Sequence, residues 1–161
     1  MSALVELSDE VRTALEDGAP VVALETTLVA HGFPAPDGQQ VGLESERAVR
    51  AAGAVPATIG VLDGRIRVGL TEDELARFTP DARKAGPRDL AAAATAGDVG
   101  ATTVGGVLVV ARRVGIRFLG TGGIGGVHRG FPSPPDVSAD LVALVSSPVL
   151  VACSGAKSLL D

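Results

Sequence analysis

Runs of consecutive apolar residues alternate along the chain with stretches whose apolar positions recur every three or four residues. This is the pattern of strands covered on both faces alternating with amphipathic helices. Residues 8–17 predict a short helix, with Ser8 as cap, Asp9 and Glu10 in the first turn and Gly18 beyond the end. Val21-Val22-Ala23-Leu24 predicts a buried strand. After a loop, Asp37 and Gln40 have the spacing of a capping box, opening a helix that Gly53 closes. Residues 55–62 form the next strand, Asp63-Gly64 a two-residue hairpin turn, and residues 65–68 the returning strand. Thr71 and Glu74 predict a second capping box. Further helices are expected over 88–96, 102–114 (apolar throughout, ending at Gly115) and 139–145. Strands are expected over 116–119 and 149–153, and a glycine-rich loop over 120–130.

The order of elements predicts an α/β fold: a three-layer α/β/α sandwich on a mixed, mostly parallel sheet, with the hairpin as its antiparallel part. No repeat, low-complexity segment or linker interrupts it, so residues 1–161 read as part of one domain. Residues 154–161 read as the first turn of a helix, and one turn does not sustain itself. The fold is therefore expected to be truncated, its remainder lying in a longer chain or a second polypeptide.

Composition narrows the function classes. A net charge of -5, no cationic run longer than Arg112-Arg113 and only four aromatic residues argue against a nucleic-acid surface. The apolar runs are far shorter than the roughly 18 residues that suggest a membrane helix. The single cysteine, Cys153, cannot form an internal disulfide, and the first ten residues lack a signal-peptide pattern, so a cytoplasmic setting is expected.

Four segments carry candidate chemistry. Glu25 directly follows a buried strand, where open α/β sheets place ligand crevices. It is read either as a general acid of raised pKa or as an ordinary strand-end carboxylate paired with a neighbour. Lys84 and Arg88 precede a helix, where an anion would meet the positive end of its dipole; the alternative is a solvated basic loop. In residues 120–130, the glycines would let backbone N–H groups approach an anion. Asp136 and Asp140 stand at a helix start as hard-cation ligands or a capping pair, and Lys157 follows an apolar strand that would partly desolvate it and make it nucleophilic. Ordinary surface charge is the alternative for all three.

Taken in order, ALETTLVAHGFPAP around Glu25, VPATIGVLDGRIRVGL, K-x-x-x-RDL from Lys84, TGGIGGVHRG, D-x-SADL from Asp136 and SGAKSLLD around Lys157 closely resemble the pseudouridine-5'-phosphate glycosidase family, also called indigoidine synthase A-like. The resemblance covers essentially the whole chain. It implies an α/β/α fold, a homotrimer, a manganese ion, and reversible cleavage of pseudouridine 5'-phosphate to uracil and ribose 5-phosphate. By matching motifs, it implies Glu25 as proton donor, Lys157 as Schiff-base nucleophile and Asp136 as metal ligand. It also implies Lys84, Thr121, Val104, His128, Ser138, Ala139 and Asp140 as substrate contacts.

Thr26 replaces a usual serine, Ala85-Gly86-Pro87 replaces a more basic stretch, and family members run about as long again beyond the lysine motif. A non-catalytic sugar-phosphate-binding remnant and a relative acting on another glycosyl phosphate are the alternatives.

Overall fold

The computed structural model describes residues 4–34, 36–133 and 135–157. Along the chain run β1 (Val5–Leu7), α1 (Asp9–Glu16), β2 (Val21–Glu25), α2 (Thr27–His31), α3 (Asp37–Ala51), β3 (Val55–Leu62), β4 (Arg65–Val68) and α4 (Glu72–Leu75). There follow β5 (Arg83–Ala85), α5 (Leu90–Ala96), β6 (Gly100–Thr102), α6 (Val104–Val114), β7 (Phe118–Gly120), α7 (Ala139–Ser146) and β8 (Leu150–Ala152).

β3 is the hub, and its sequence says why. Successive side chains of a strand point to opposite faces, and both faces of β3 are buried. Ala57, Ile59 and Val61 join the main core beneath α1, α5 and α6. Leu62 joins a smaller core with Val29 and Ala30 of α2 and Leu75 of α4. The ring of Phe78 lies so close over Gly60 that a Cβ there would fall 2.2 Å from it. Helices cover both faces, which is the expected three-layer α/β/α sandwich.

The sheet runs β1-β4-β3-β2-β7-β8, with only the β3–β4 hairpin antiparallel along that path. Its turn has φ of 51° at Asp63 and 74° at Gly64, the two left-handed positions that Asp-Gly supplies. A second feature breaks the parallel order. β2 pairs with β3 as far as Glu25 opposite Ile59, and β6 then takes over the same edge, antiparallel, opposite Gly60 and Val61. β5 pairs with β6 on its far side. β2 thus ends at a notch in the sheet, with Glu25 at its lip.

Several caps form as expected. Ser8 accepts the Val11 N–H at 3.3 Å, and Thr71 and Glu74 exchange both bonds of a capping box. The box expected from Asp37 and Gln40 does not form. Pro36 holds the cap position of α3 with no side-chain bond, because the Asp37 N–H is already turned back onto the Pro34 carbonyl; Gln40 donates instead to Glu44 at 2.7 Å.

The helix expected over 102–114 begins two residues later. Thr102 ends β6, and Thr103 caps α6 by accepting the Gly106 N–H at 3.3 Å. The strand expected over 116–119 is displaced to Phe118–Gly120, Ile116 being spent on the core as α6 closes. β1, α2, β5 and β6 were not expected, being short and lacking a full period. The helical turn expected over 154–161 does not form over residues 154–157, where Ala156 bridges to Ile124 in the glycine loop instead; residues 158–161 lie outside the described residues.

Candidate functional site

Where β2 hands over to β6, side chains do the work of the missing ladder. The Ile59 carbonyl accepts hydroxyl bonds from Thr26 at 2.9 Å and Thr102 at 2.6 Å. The Thr102 N–H donates to Thr26 Oγ1 at 2.8 Å, and the Thr27 hydroxyl reaches the Thr102 carbonyl at 2.7 Å. All three threonines are buried. Sequence reasoning did not single out Thr27 or Thr102; a threonine pair following an apolar strand was the available signal.

This brace fixes Glu25 at the floor of a cavity of about 490 Å³. The cavity is also lined by Lys84, Val104, His128, Ser138, Ala139, Asp140 and Lys157, residues widely separated in sequence that the fold brings together. Thr27, Asp89 and Thr103 line it too and were not anticipated. Glu25 is only 6% exposed, and its pKa is raised. Burial is the main cause, since it penalises the charged form, and Asp140 adds to it. The Thr121 hydroxyl bond and the Lys157 charge pull the other way without cancelling the rise. A carboxyl so held can carry a proton nearer neutrality than a solvated one.

Thr121, at the end of β7, lies outside the polar cavity's lining and hydrogen-bonds Glu25 Oε1. It borders a second, apolar cavity of about 430 Å³ behind Glu25, lined by Leu24, Leu28, Val29, Phe33 and Val41 among others.

Asp140 is buried with both carboxylate oxygens occupied. Oδ1 accepts the Gly105 N–H at 2.7 Å and Oδ2 the Gly125 N–H at 2.9 Å. It therefore ties α6 and the glycine loop to α7. The loop approaches closely: a Cβ on Gly125 would fall 2.1 Å from Ser138 Oγ. Other backbone donors of this loop are used internally. Ile124 N–H reaches the Gly155 carbonyl at 3.0 Å and His128 N–H the Asp136 carbonyl at 2.9 Å. The expectation that its N–H groups are open to an anion does not hold for these positions.

In return, the Lys157 N–H donates to the Ile124 carbonyl at 3.0 Å, which hangs the lysine on the same loop. Its side chain is exposed, so the desolvation expected from the preceding strand is absent. The cause is β8, which among the described residues pairs only with β7 and leaves Leu150 62% exposed. Lys84 reaches the polar cavity, whereas Arg88 lines a neighbouring groove and does not join it there.

Asp136 does not line the cavity; it is exposed, with Oδ2 3.2 Å from Nδ1 of His128, which does. Among the described residues no group of three or more His, Cys, Asp or Glu side chains converges as a metal cage. One carboxylate open to solvent nevertheless suits a hard divalent ion that keeps most of its waters.

A family model for indigoidine synthase A like protein matches residues 10–161. The chain belongs to this family. A pseudouridine-5'-phosphate glycosidase of Streptomyces griseus subsp. griseus is 54% identical over 157 residues, covering 96% of this chain and 49% of the relative. The pseudouridine-5'-phosphate glycosidase of Dickeya dadantii is 49% identical over 160 residues, covering 98% and 51%. The chain thus spans about half the length of the curated relatives it matches.

Among solved structures, the prealnumycin C-glycosynthase AlnA in complex with ribulose 5-phosphate superposes with a TM-score of 0.87 at 43% identity, over 100% of this chain and 53% of that one. An indigoidine synthase A-like protein of Thermotoga maritima gives 0.80 at 39% identity, over 88% and 48%. No helix among the described residues is long and apolar enough to cross a membrane.

Proposed function

We propose that this chain carries the lysine-and-acid half of a C-glycosidase site acting on pseudouridine 5'-phosphate. The supporting observation is that a buried Glu25 of raised pKa and Lys157 share one cavity with the side chain of Lys84. The glycosidase names of the relatives and the pentose phosphate named with AlnA support the substrate class.

Chemistry explains why a lysine is needed. A C–C glycosidic bond offers no leaving-group lone pair to protonate, so the two-carboxylate route of ordinary glycosidases is unsuited to it. In the proposed reaction the Lys157 amine bonds to C1' as the C1'–O4' bond breaks and the ring oxygen takes up a proton. The nitrogen lone pair then forms C=N as the C1'–C5 bond to the pyrimidine breaks. C5 takes its proton from Glu25, uracil leaves, and water hydrolyses the imine to free ribose 5-phosphate and Lys157. Lys84, His128, Ser138 and Ala139, with the backbone at Val104, would hold the sugar phosphate. A manganese ion held by Asp136 and waters would supply a fixed positive charge against the substrate's oxygens.

Lys157 is exposed, and in this proposal the remaining length of the relatives covers it, in a trimeric assembly. A second reading, C-glycoside synthesis with another acceptor, is favoured by the 43% identity to AlnA.

The test is trapping. With ribose 5-phosphate and borohydride, intact-mass analysis should show one pentose phosphate per chain, lost in Lys157→Ala. Trapping that persists in that variant, or that moves to Lys84, overturns the proposal.

A further inference from the structure

We propose that Thr121 is the positioning residue that holds the Glu25 carboxyl through both of its protonation states, donating to it when it is ionised and accepting from it when it carries a proton. This rests on Glu25 acting as the acid of the reading above.

The placement comes from the sheet. β2 and β7 are parallel with Leu24 opposite Gly120, so the next residues, Glu25 at the end of β2 and Thr121 just beyond β7, lie side by side. Thr121 is anchored on its other edge, its N–H donating to the Ala152 carbonyl at 3.0 Å. The side-chain oxygen has two partners: Glu25 Oε1 in close hydrogen-bonding contact, and the Gly123 carbonyl at 3.4 Å. A hydroxyl has one proton and two lone pairs, and its proton rotates to suit. The Gly123 carbonyl can only accept. With Glu25 ionised, the hydroxyl donates to the carboxylate. With Glu25 protonated, the carboxyl donates to Thr121 Oγ1, and the hydroxyl proton turns to Gly123. Neither state leaves the buried carboxyl without a partner, which would otherwise carry the full desolvation penalty.

The charged surroundings do not provide this service. Lys157 favours the ionised form and Asp140 the protonated one. Lys84, Asp89 and His128 line the same cavity, while on the α3 side Glu46 is engaged by the Thr58 hydroxyl. Among the described residues, the Thr121 hydroxyl is the hydrogen-bond partner of the Glu25 carboxyl, and it can reverse direction.

The experiment reads Glu25 directly, in the 161-residue chain without substrate, by the carboxyl titration of ¹³C-labelled glutamate compared with Glu25→Gln for assignment. Thr121→Val keeps the volume and removes the hydroxyl. The Glu25 midpoint should rise by about one pH unit, because the bond lost from the charged form is stronger than the one lost from the protonated form. Thr121→Ser should return it to the wild-type value, and Thr121→Ala should behave as Val if valine disturbs the fold. A midpoint unmoved in both Val and Ala variants, or not restored by Ser, overturns the proposal. In the borohydride assay, the Val variant should still be trapped at Lys157, while the alkaline limb of the pH–rate profile for cleavage, where a proton donor is lost, moves upward with the midpoint. Failure of wild-type trapping counts against the lysine mechanism alone, and leaves the titration result standing.

Discussion

Asp140 Oδ2 accepts the Gly125 N–H at 2.9 Å, so a carboxylate on the first turn of α7 sets the height of the glycine loop across the cavity. The other oxygen does the same for Gly105 at the start of α6.

A side chain used this way has a cost when removed. Asp140→Ala leaves two buried N–H groups unpaired, at about 1–3 kcal/mol each. The melting temperature should fall by roughly 4–24 °C, since 1 kcal/mol shifts a chain of this size by about 2–4 °C. Asp140→Asn should recover at most part of it, because its amide turns a donor towards one of the two N–H groups. A role limited to touching substrate predicts instead an unchanged melting temperature in both variants.

Metal binding separates the two aspartates. Calorimetric titration with manganese should lose its heat in Asp136→Ala, whose carboxylate is open to solvent. Binding that survives this substitution removes Asp136 as the ligand.

Glu25 links stability to pH with a defined sign. Burial holds its folded pKa above the ordinary value of 4.5. The stability this group allows is therefore fully present below 4.5 and is lost as pH rises through the raised folded value. Glu25→Gln does not titrate and keeps an oxygen for the Thr121 hydroxyl. The variant should melt with the wild type near pH 4 and progressively above it towards neutrality. Parallel melting curves across that range would remove the buried charge as a cost.

The outer edge of β8 gives a prediction about association. Leu150 and Phe118 are 62% and 42% exposed, and an uncovered strand edge with apolar side chains invites pairing. The 161-residue chain should bind a hydrophobic dye and self-associate in light scattering. A polypeptide carrying the part of the relatives that this chain does not span should suppress both and raise the melting temperature. A dye-negative monomer, unaffected by that polypeptide, contradicts the expectation.

Much of this was legible in the sequence, and the limits have physical causes. β3 and its hairpin read cleanly because an eight-residue run with Thr58 as its one polar side chain leads straight into Asp63-Gly64, a dipeptide that favours φ > 0 at two successive positions. β5 and β6 did not, since three residues such as Arg83-Lys84-Ala85 are too few to show a period and draw their pairing from distant partners. The residues lining the cavity came from matching motifs, so spacing alone would have left Lys84 and Lys157 as surface charges. Motifs likewise gave no hint that Thr121 hydrogen-bonds Glu25, because that contact depends on the register of two strands 96 residues apart.

The handover from β2 to β6 has a consequence for how the acid tolerates change. Glu25 shares its face of β2 with Val21 and Ala23, both packed in the main core. Deleting one residue from this strand would bring Thr26 to the notch position and swing the carboxyl towards the opposite layer. Reading-frame-preserving insertions and deletions in residues 21–24 should thus be as damaging as replacing Glu25 itself, whereas the loop after α2 can absorb them. The acid's address is written in the hydrophobic residues before it.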